Sequence, residues 1–95
     1  MDKITILLVE DEALVREGLH SLLKKEPFVK EVYQAGTSLE FYEKMAIHQI
    51  DLILLDLRLQ GSSGLDLLAS MKKKRVQPRI VAVTGLEGVQ VVIHL

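Results

Sequence analysis

The sequence predicts an α/β domain built on a doubly wound, mostly parallel sheet, and three observations predict it. First, short apolar runs recur: Ile4-Thr5-Ile6-Leu7-Leu8-Val9, Leu52-Ile53-Leu54-Leu55 and, with one charged residue at its start, Arg79-Ile80-Val81-Ala82-Val83. Runs of this length suit strands covered on both faces. Second, segments of helical periodicity lie between the strands. The order βαβαβαβ calls for right-handed crossovers and helices on both sides of one sheet. Third, acids follow two of the runs directly, Glu10 and Asp11 after the first and Asp56 after the third strand. Open sheets of this class bind ligands at the carboxyl ends of their strands.

The elements follow in order. Ile4–Val9 is the first strand. Glu12–Lys25 is a helix whose Val15, Leu19, Leu22 and Leu23 form an apolar stripe, and Pro27 marks its end. Val29–Tyr33 is a short second strand carrying the charges of Lys30 and Glu31. Gly36 breaks the chain, and Thr37-Ser38-Leu39-Glu40 matches a capping box. That helix runs to about Ile47 with Leu39, Phe41, Tyr42 and Met45 as core contacts. Leu52–Leu55 is the third strand. Ser63-Gly64-Leu65-Asp66 is a second capping-box match, opening a helix that ends in Lys72-Lys73-Lys74-Arg75, where positive charge suits the helix dipole. Arg79–Val83 is the fourth strand, Thr84-Gly85 ends it, and Leu86–Leu95 completes the chain.

Composition limits the function classes. A length of 95 residues fits a single domain spanning 1–95. Hydrophobic residues make up 48%, enough for a core rather than a disordered chain. A net charge of −1 gives no electrostatic case for nucleic acid or an anionic membrane surface. Cysteine is absent, which excludes disulfides and thiolate metal sites and fits the reducing cytoplasm. The apolar run between Asp2 and Glu10 is too short for a signal peptide, and no run is long enough to span a bilayer.

Carboxylates gathered at neighbouring strand ends repel one another unless a cation sits between them. With oxygen donors alone, a hard divalent ion, Mg²⁺ above all, is the natural candidate. Plainer readings stand beside this one. Glu10 and Asp11 also suit a helix N-terminus, where negative charge is favoured. Asp56 also reads as a turn residue and Thr84 as an ordinary strand-end threonine. Lys72 to Arg75 reads as a solvated helix end. His20, His48 and His94 lack ligand spacing, so a surface or edge position is the default.

Four motifs carry a family resemblance: Leu8-Val9-Glu10-Asp11-Glu12, Leu54-Leu55-Asp56-Leu57-Arg58-Leu59, Gly64 at a helix start, and Val83-Thr84-Gly85. In this order and on these elements, the chain resembles the receiver domain of bacterial two-component response regulators. Leu14-Val15-Arg16-Glu17-Gly18-Leu19 is similar to the first helix of receivers fused to helix-turn-helix DNA-binding outputs. The resemblance implies that Asp56 accepts a phosphoryl group from a sensor histidine kinase. It implies Mg²⁺ held by Glu10, Asp11, Asp56 and the backbone carbonyl of Arg58, and Thr84 as the hydroxyl that meets the phosphoryl group. It implies a cytoplasmic regulator of transcription rather than a conventional enzyme. The flavodoxin-like order of the family, 2-1-3-4-5, is expected here as 2-1-3-4, lacking the fifth strand and fifth helix, because the family pattern reaches only partway through its fourth helix at Leu95.

Departures from the family sharpen the expectations. No residue matches the lysine that the family carries on its fifth strand. Gln60 stands where proline is usual, Ser63 where an acid or amide is usual, and Gly85 where alanine is frequent. A bare fourth-strand edge and the β-branched tail from Val89 to Leu95 predict a homo-oligomer through that edge and the C-terminal segment. The tail is too short for a stable isolated helix. Packed on the sheet it can be helical; otherwise it pairs as a strand or exchanges between chains. Two further function classes remain: a non-signalling receiver-like interaction module that keeps the acids, and a flavodoxin-like binder or enzyme. The last is disfavoured because no Gly-rich phosphate loop follows the first strand, and Glu10-Asp11-Glu12 repels an anionic cofactor.

Overall fold

Apolar alternation in the first strand decides the layers. The strand β1 (Ile4–Val9) sends Ile6 and Leu8 into one cluster and Leu7 and Val9 into another. Successive side chains point to opposite faces of a sheet, so a strand apolar at every position must be covered on both. The helix α1 (Ala13–Lys24) covers the first face, with Leu19 and Leu23 against Ile6, Leu8, Val29 and Val32. The helix α2 (Ser38–Ile47) covers the second, where Phe41 is fully buried and Tyr42 and Met45 pack beside it against Leu7, Val9, Ala35, Ile53 and Leu55.

The structure, a computed structural model, describes residues 3–56, 80–85 and 88–93. Between the helices lies β2 (Val29–Ala35), followed after α2 by β3 (Leu52–Asp56), β4 (Ile80–Gly85) and β5 (Gly88–Ile93). The sheet order is β2-β1-β3-β4-β5. β1 pairs in parallel with β2 and with β3, and β3 pairs in parallel with β4. The expected order 2-1-3-4 is therefore present. The expected third helix, Ser63 to Arg75, and residues Arg58, Gln60 and Gly64 lie outside the described residues.

Three expectations change. The sheet has a fifth strand, and the chain's own segment Gly88–Ile93 forms it, antiparallel to β4 with Gly85 opposite Gly88. A strand reached through a helical crossover would run parallel. Val89, Val91, Val92 and Ile93 are β-branched and favour a pleated strand over a short helix. The edge of β4 expected to lie bare is thus paired, and among the described residues β5 is the edge strand on that side. Second, the stripe on α1 is narrower than expected. Leu19 and Leu23 pack on the sheet, whereas Val15 and Leu22 are 43% and 62% exposed. Third, Leu39 is 69% exposed and is not a core contact.

Local signals behave as their chemistry requires. Thr37 Oγ1 accepts from the Glu40 amide at 3.1 Å and caps α2. The Glu40 carboxylate reaches one residue further back than a standard capping box and accepts from the Gly36 amide at 3.0 Å. At the other end of α2, the His48 ring stacks on Tyr33 with centroids 3.7 Å apart, which gives that histidine a packing role. β2 runs two residues beyond the expected Tyr33, through Gln34 and Ala35. Those two residues pair with Leu8 and Val9 and bring β2 level with the end of β1.

Candidate functional site

The chain leaves β1 to build β2 on one side and later returns to build β3 on the other side of β1. This reversal places the topological switch point between the carboxyl ends of β1 and β3, where open α/β sheets hold their ligands. The residues leaving those ends are Glu10 and Asp11 from β1 and Asp56 from β3.

Register aligns these positions. Val9 lies opposite Leu55, so Glu10 and Asp56 are the next positions on neighbouring strands. Asp56 in turn lies opposite Thr84 on β4. Strands are spaced about 4.8 Å apart, so positions 10, 56 and 84 follow one another across roughly 10 Å of sheet end. For Asp56 and Thr84 only the backbone is described.

Glu10 is held on both sides of its backbone. Its amide donates to the Ala35 carbonyl at 3.0 Å, which extends the β1–β2 ladder by one residue. Its carbonyl accepts from Arg16 Nη1 at 2.7 Å. The Glu10 side chain is buried, only 4% exposed, while Asp11 beside it is partly exposed. Glu12 follows as the N-cap of α1 and makes no side-chain cap. The acids do stand at the positive end of the α1 dipole, so the plain electrostatic reading of Glu10 and Asp11 holds alongside any metal role.

Arg16 is the functional candidate that sequence reasoning missed. Besides the Glu10 carbonyl, its Nε donates to Gln34 Oε1 at 3.2 Å. Gly36 leaves room for this arrangement, since a Cβ there would lie 2.7 Å from Arg16 Nη1. The sequence places Arg16 one helical turn beyond Glu12, but only the folded β1–α1–β2 unit brings its guanidinium to both strand ends.

The donor set fits a hard divalent cation. It offers carboxylate oxygens from Glu10 and Asp11 at one strand end and a third acid, Asp56, at the neighbouring end, with no nitrogen or sulfur donor among them. Among the described residues, no group of three or more acidic, histidine or cysteine side chains forms a metal cluster by itself. Among the described residues no helix is long and apolar enough to cross a membrane.

Comparison with known proteins agrees with this architecture. Residues 6–95 match the family described as the response regulator receiver domain. The chain is 34% identical over 79 residues to the nitrate/nitrite response regulator protein NarP of Escherichia coli, covering 83% of this chain and 37% of that protein. It is 36% identical over 81 residues to the sensory transduction protein LytR of Staphylococcus epidermidis, covering 85% of this chain and 32% of that protein. The chain thus spans about a third of the length of these relatives. Among solved structures, the MaeR response regulator bound to beryllium trifluoride superposes with a TM-score of 0.80 at 26% identity, over 87% of this chain and 67% of that one. A response regulator receiver protein from Pseudomonas putida gives 0.75 at 26% identity, over 90% and 69%. The chain belongs to the response regulator receiver domain family of two-component systems.

Proposed function

We propose that this domain accepts a phosphoryl group on Asp56 from a sensor histidine kinase, in the cytoplasm, and relays the change to an output that regulates transcription. The observation that carries the reading is the alignment of positions 10, 56 and 84 at the switch point of the sheet, with Asp11 next to the first of them. Family membership supports the phosphoacceptor role, and the relatives include a nitrate/nitrite response regulator and a transcriptional regulatory protein.

In this reading Glu10, Asp11, Asp56 and the Arg58 carbonyl hold Mg²⁺, with Arg58 outside the described residues. Bound there, the ion supplies neutralisation of the charge on the transferring group. An Asp56 carboxylate oxygen attacks phosphorus. The P–N bond of the donor phosphohistidine breaks, and its electron pair leaves with the imidazole nitrogen. The new acyl phosphate adds negative charge and acceptor oxygens at the end of β3. Thr84, opposite Asp56 in register, donates its hydroxyl to that group and couples the change to β4.

Incubating the chain with MgCl₂ and acetyl phosphate tests this. The expected product is one added phosphoryl group, stable to acid and released by hydroxylamine, and absent from Asp56→Asn. Equal labelling of Asp56→Asn would move the acceptor elsewhere.

A second reading rests on β5. The strand beside β4 is Gly88–Ile93, which contains no lysine, whereas the family carries its site lysine on the neighbouring fifth strand. The second reading is a receiver-like interaction module that keeps the acids without switching. Addition of beryllium fluoride, a stand-in for the phosphoryl group, separates the two. Amide shifts that spread into β4 and β5 support switching, and shifts confined to the ends of β1 and β3 support the second reading. The open edge of β5 is also the proposed contact for a homo-oligomer. Sedimentation that stays monomeric at all concentrations would remove that contact.

A further inference from the structure

We infer that Arg16 is a positioning residue for the acidic site, an inference that rests on the magnesium reading proposed above. The carbonyl that Arg16 holds at 2.7 Å is part of the peptide joining Glu10 to Asp11. That peptide sets the direction in which both carboxylates leave the strand. The peptides on both sides of the Glu10 Cα are tied: the Val9–Glu10 peptide through the Glu10 amide to Ala35 in β2, and the Glu10–Asp11 peptide through the Glu10 carbonyl to Arg16 in α1. The guanidinium is itself held by Gln34, the β2 residue before Ala35. One planar, always-charged group thus locks β1, β2 and α1 together at the point where the acids emerge. The absence of a side chain at Gly36 is what lets it lie there, since a Cβ would meet Arg16 Nη1 at 2.7 Å and Arg16 Cζ at 3.3 Å.

Electrostatics and positioning predict opposite signs for the loss of Arg16. A cation this close to the acids competes with a bound dication, so its removal tightens Mg²⁺ binding if charge is all that matters. If the residue fixes the ligands, its removal weakens binding, because groups that orient metal ligands typically contribute about tenfold or more to affinity. The structure favours the second outcome. The hydrogen bond goes to a backbone carbonyl and not to a carboxylate, and it fixes geometry.

The test follows backbone amide shifts of the ¹⁵N-labelled chain during titration with MgCl₂ at constant ionic strength. Arg16→Met keeps the apolar stem and removes every donor. We expect it to weaken Mg²⁺ affinity by about tenfold, with the Asp11 amide already displaced before metal is added. Affinity equal to or tighter than wild type overturns the inference. If Arg16→Met does not fold, Gly36→Ala takes its place. The added methyl would lie 2.7 Å from Arg16 Nη1, so the guanidinium must shift from its place against the Glu10 carbonyl, and the expected loss of affinity has the same sign. A displaced Arg16 Nε–H signal with unchanged affinity overturns the inference there too. Asp11→Asn separates the two levels of the argument. If it weakens binding while Arg16→Met does not, only the role of Arg16 falls. If it leaves binding unchanged, or if the wild type shows no saturable shift, the magnesium reading falls and the inference with it.

Discussion

The two ends of the β1–β3 pair use the same residue type in opposite ways. At the amino end, Asp51 Oδ2 accepts from the Thr5 amide at 2.8 Å, while the Asp51 amide donates to the Thr5 carbonyl at 2.9 Å. That aspartate is committed to the backbone and sets the register of β3 against β1. At the carboxyl end, the backbone around Glu10 is held by Ala35 and Arg16, so the carboxylates are not needed to hold it. An acid whose oxygens complete a backbone ladder is structural. An acid beside a backbone that other groups secure is not what closes the ladder there. The two ends are coupled, because the register fixed at Asp51 is what brings Asp56 level with Glu10 five residues later.

Breaking the carboxyl end should abolish function and spare the fold. The largest expected effect is complete loss of phosphorylation by acetyl phosphate in Asp56→Asn, read by intact mass. Next is Asp11→Asn, which should weaken Mg²⁺ affinity by roughly tenfold or more. Its thermal stability without metal should be unchanged or raised, since one charge leaves a crowded acidic cluster. A fall in metal-free stability with affinity intact would make Asp11 the structural residue and erase the contrast.

Breaking the amino end should do the reverse. Asp51→Ala removes a charge-assisted acceptor from the Thr5 amide and should cost about 1 kcal/mol in urea unfolding. Mg²⁺ affinity should stay near wild type as long as the β1–β3 register survives. A loss of affinity as large as that of Asp11→Asn would mean that register, more than the acids, limits the site.

The smallest expected effect lies away from both ends. Lys24 Nζ donates to Glu31 Oε1 at 3.1 Å, and that hydrogen bond, helped by the Val32 amide and the charge of Lys24, lowers the Glu31 pKa. Its stabilisation is present above the ordinary glutamate range and fades as pH falls through the lowered value. The pair is solvent-exposed, so the expected difference between wild type and Glu31→Gln in acid unfolding is slight. A large difference would show that this bridge between α1 and β2 helps hold the β1–α1–β2 unit.

Much of this was legible in the sequence because it rests on local chemistry. The apolar runs ending in Glu10-Asp11 and Asp56 give the parallel strands and the end at which they converge. Thr37 and Glu40 give the start of α2 through side chains that satisfy free amides. Other features depend on tertiary context. The segment Gly88–Ile93 is a short β-branched run that periodicity alone cannot assign to helix or strand, and pairing with β4 decides it. Leu22 and Leu39 fit helical stripes, yet both side chains are mostly exposed, and the contacts with the sheet are made by Leu19 and Leu23 on α1 and by Phe41, Tyr42 and Met45 on α2. Arg16 reads as one more polar residue on α1 until the fold carries its guanidinium to Glu10 and Gln34.

The central claim is that acids from two strand ends share one divalent ion. Titration of the ¹⁵N-labelled chain with Mn²⁺, a paramagnetic substitute for Mg²⁺, tests it most directly. The account predicts that the amides of Glu10, Asp11, Asp56 and Thr84 broaden first and together. The amides of Thr5 and Asp51, about 17 Å away along the strands, should broaden last. Early broadening at Thr5 and Asp51, or at Asp11 without Asp56, would contradict it.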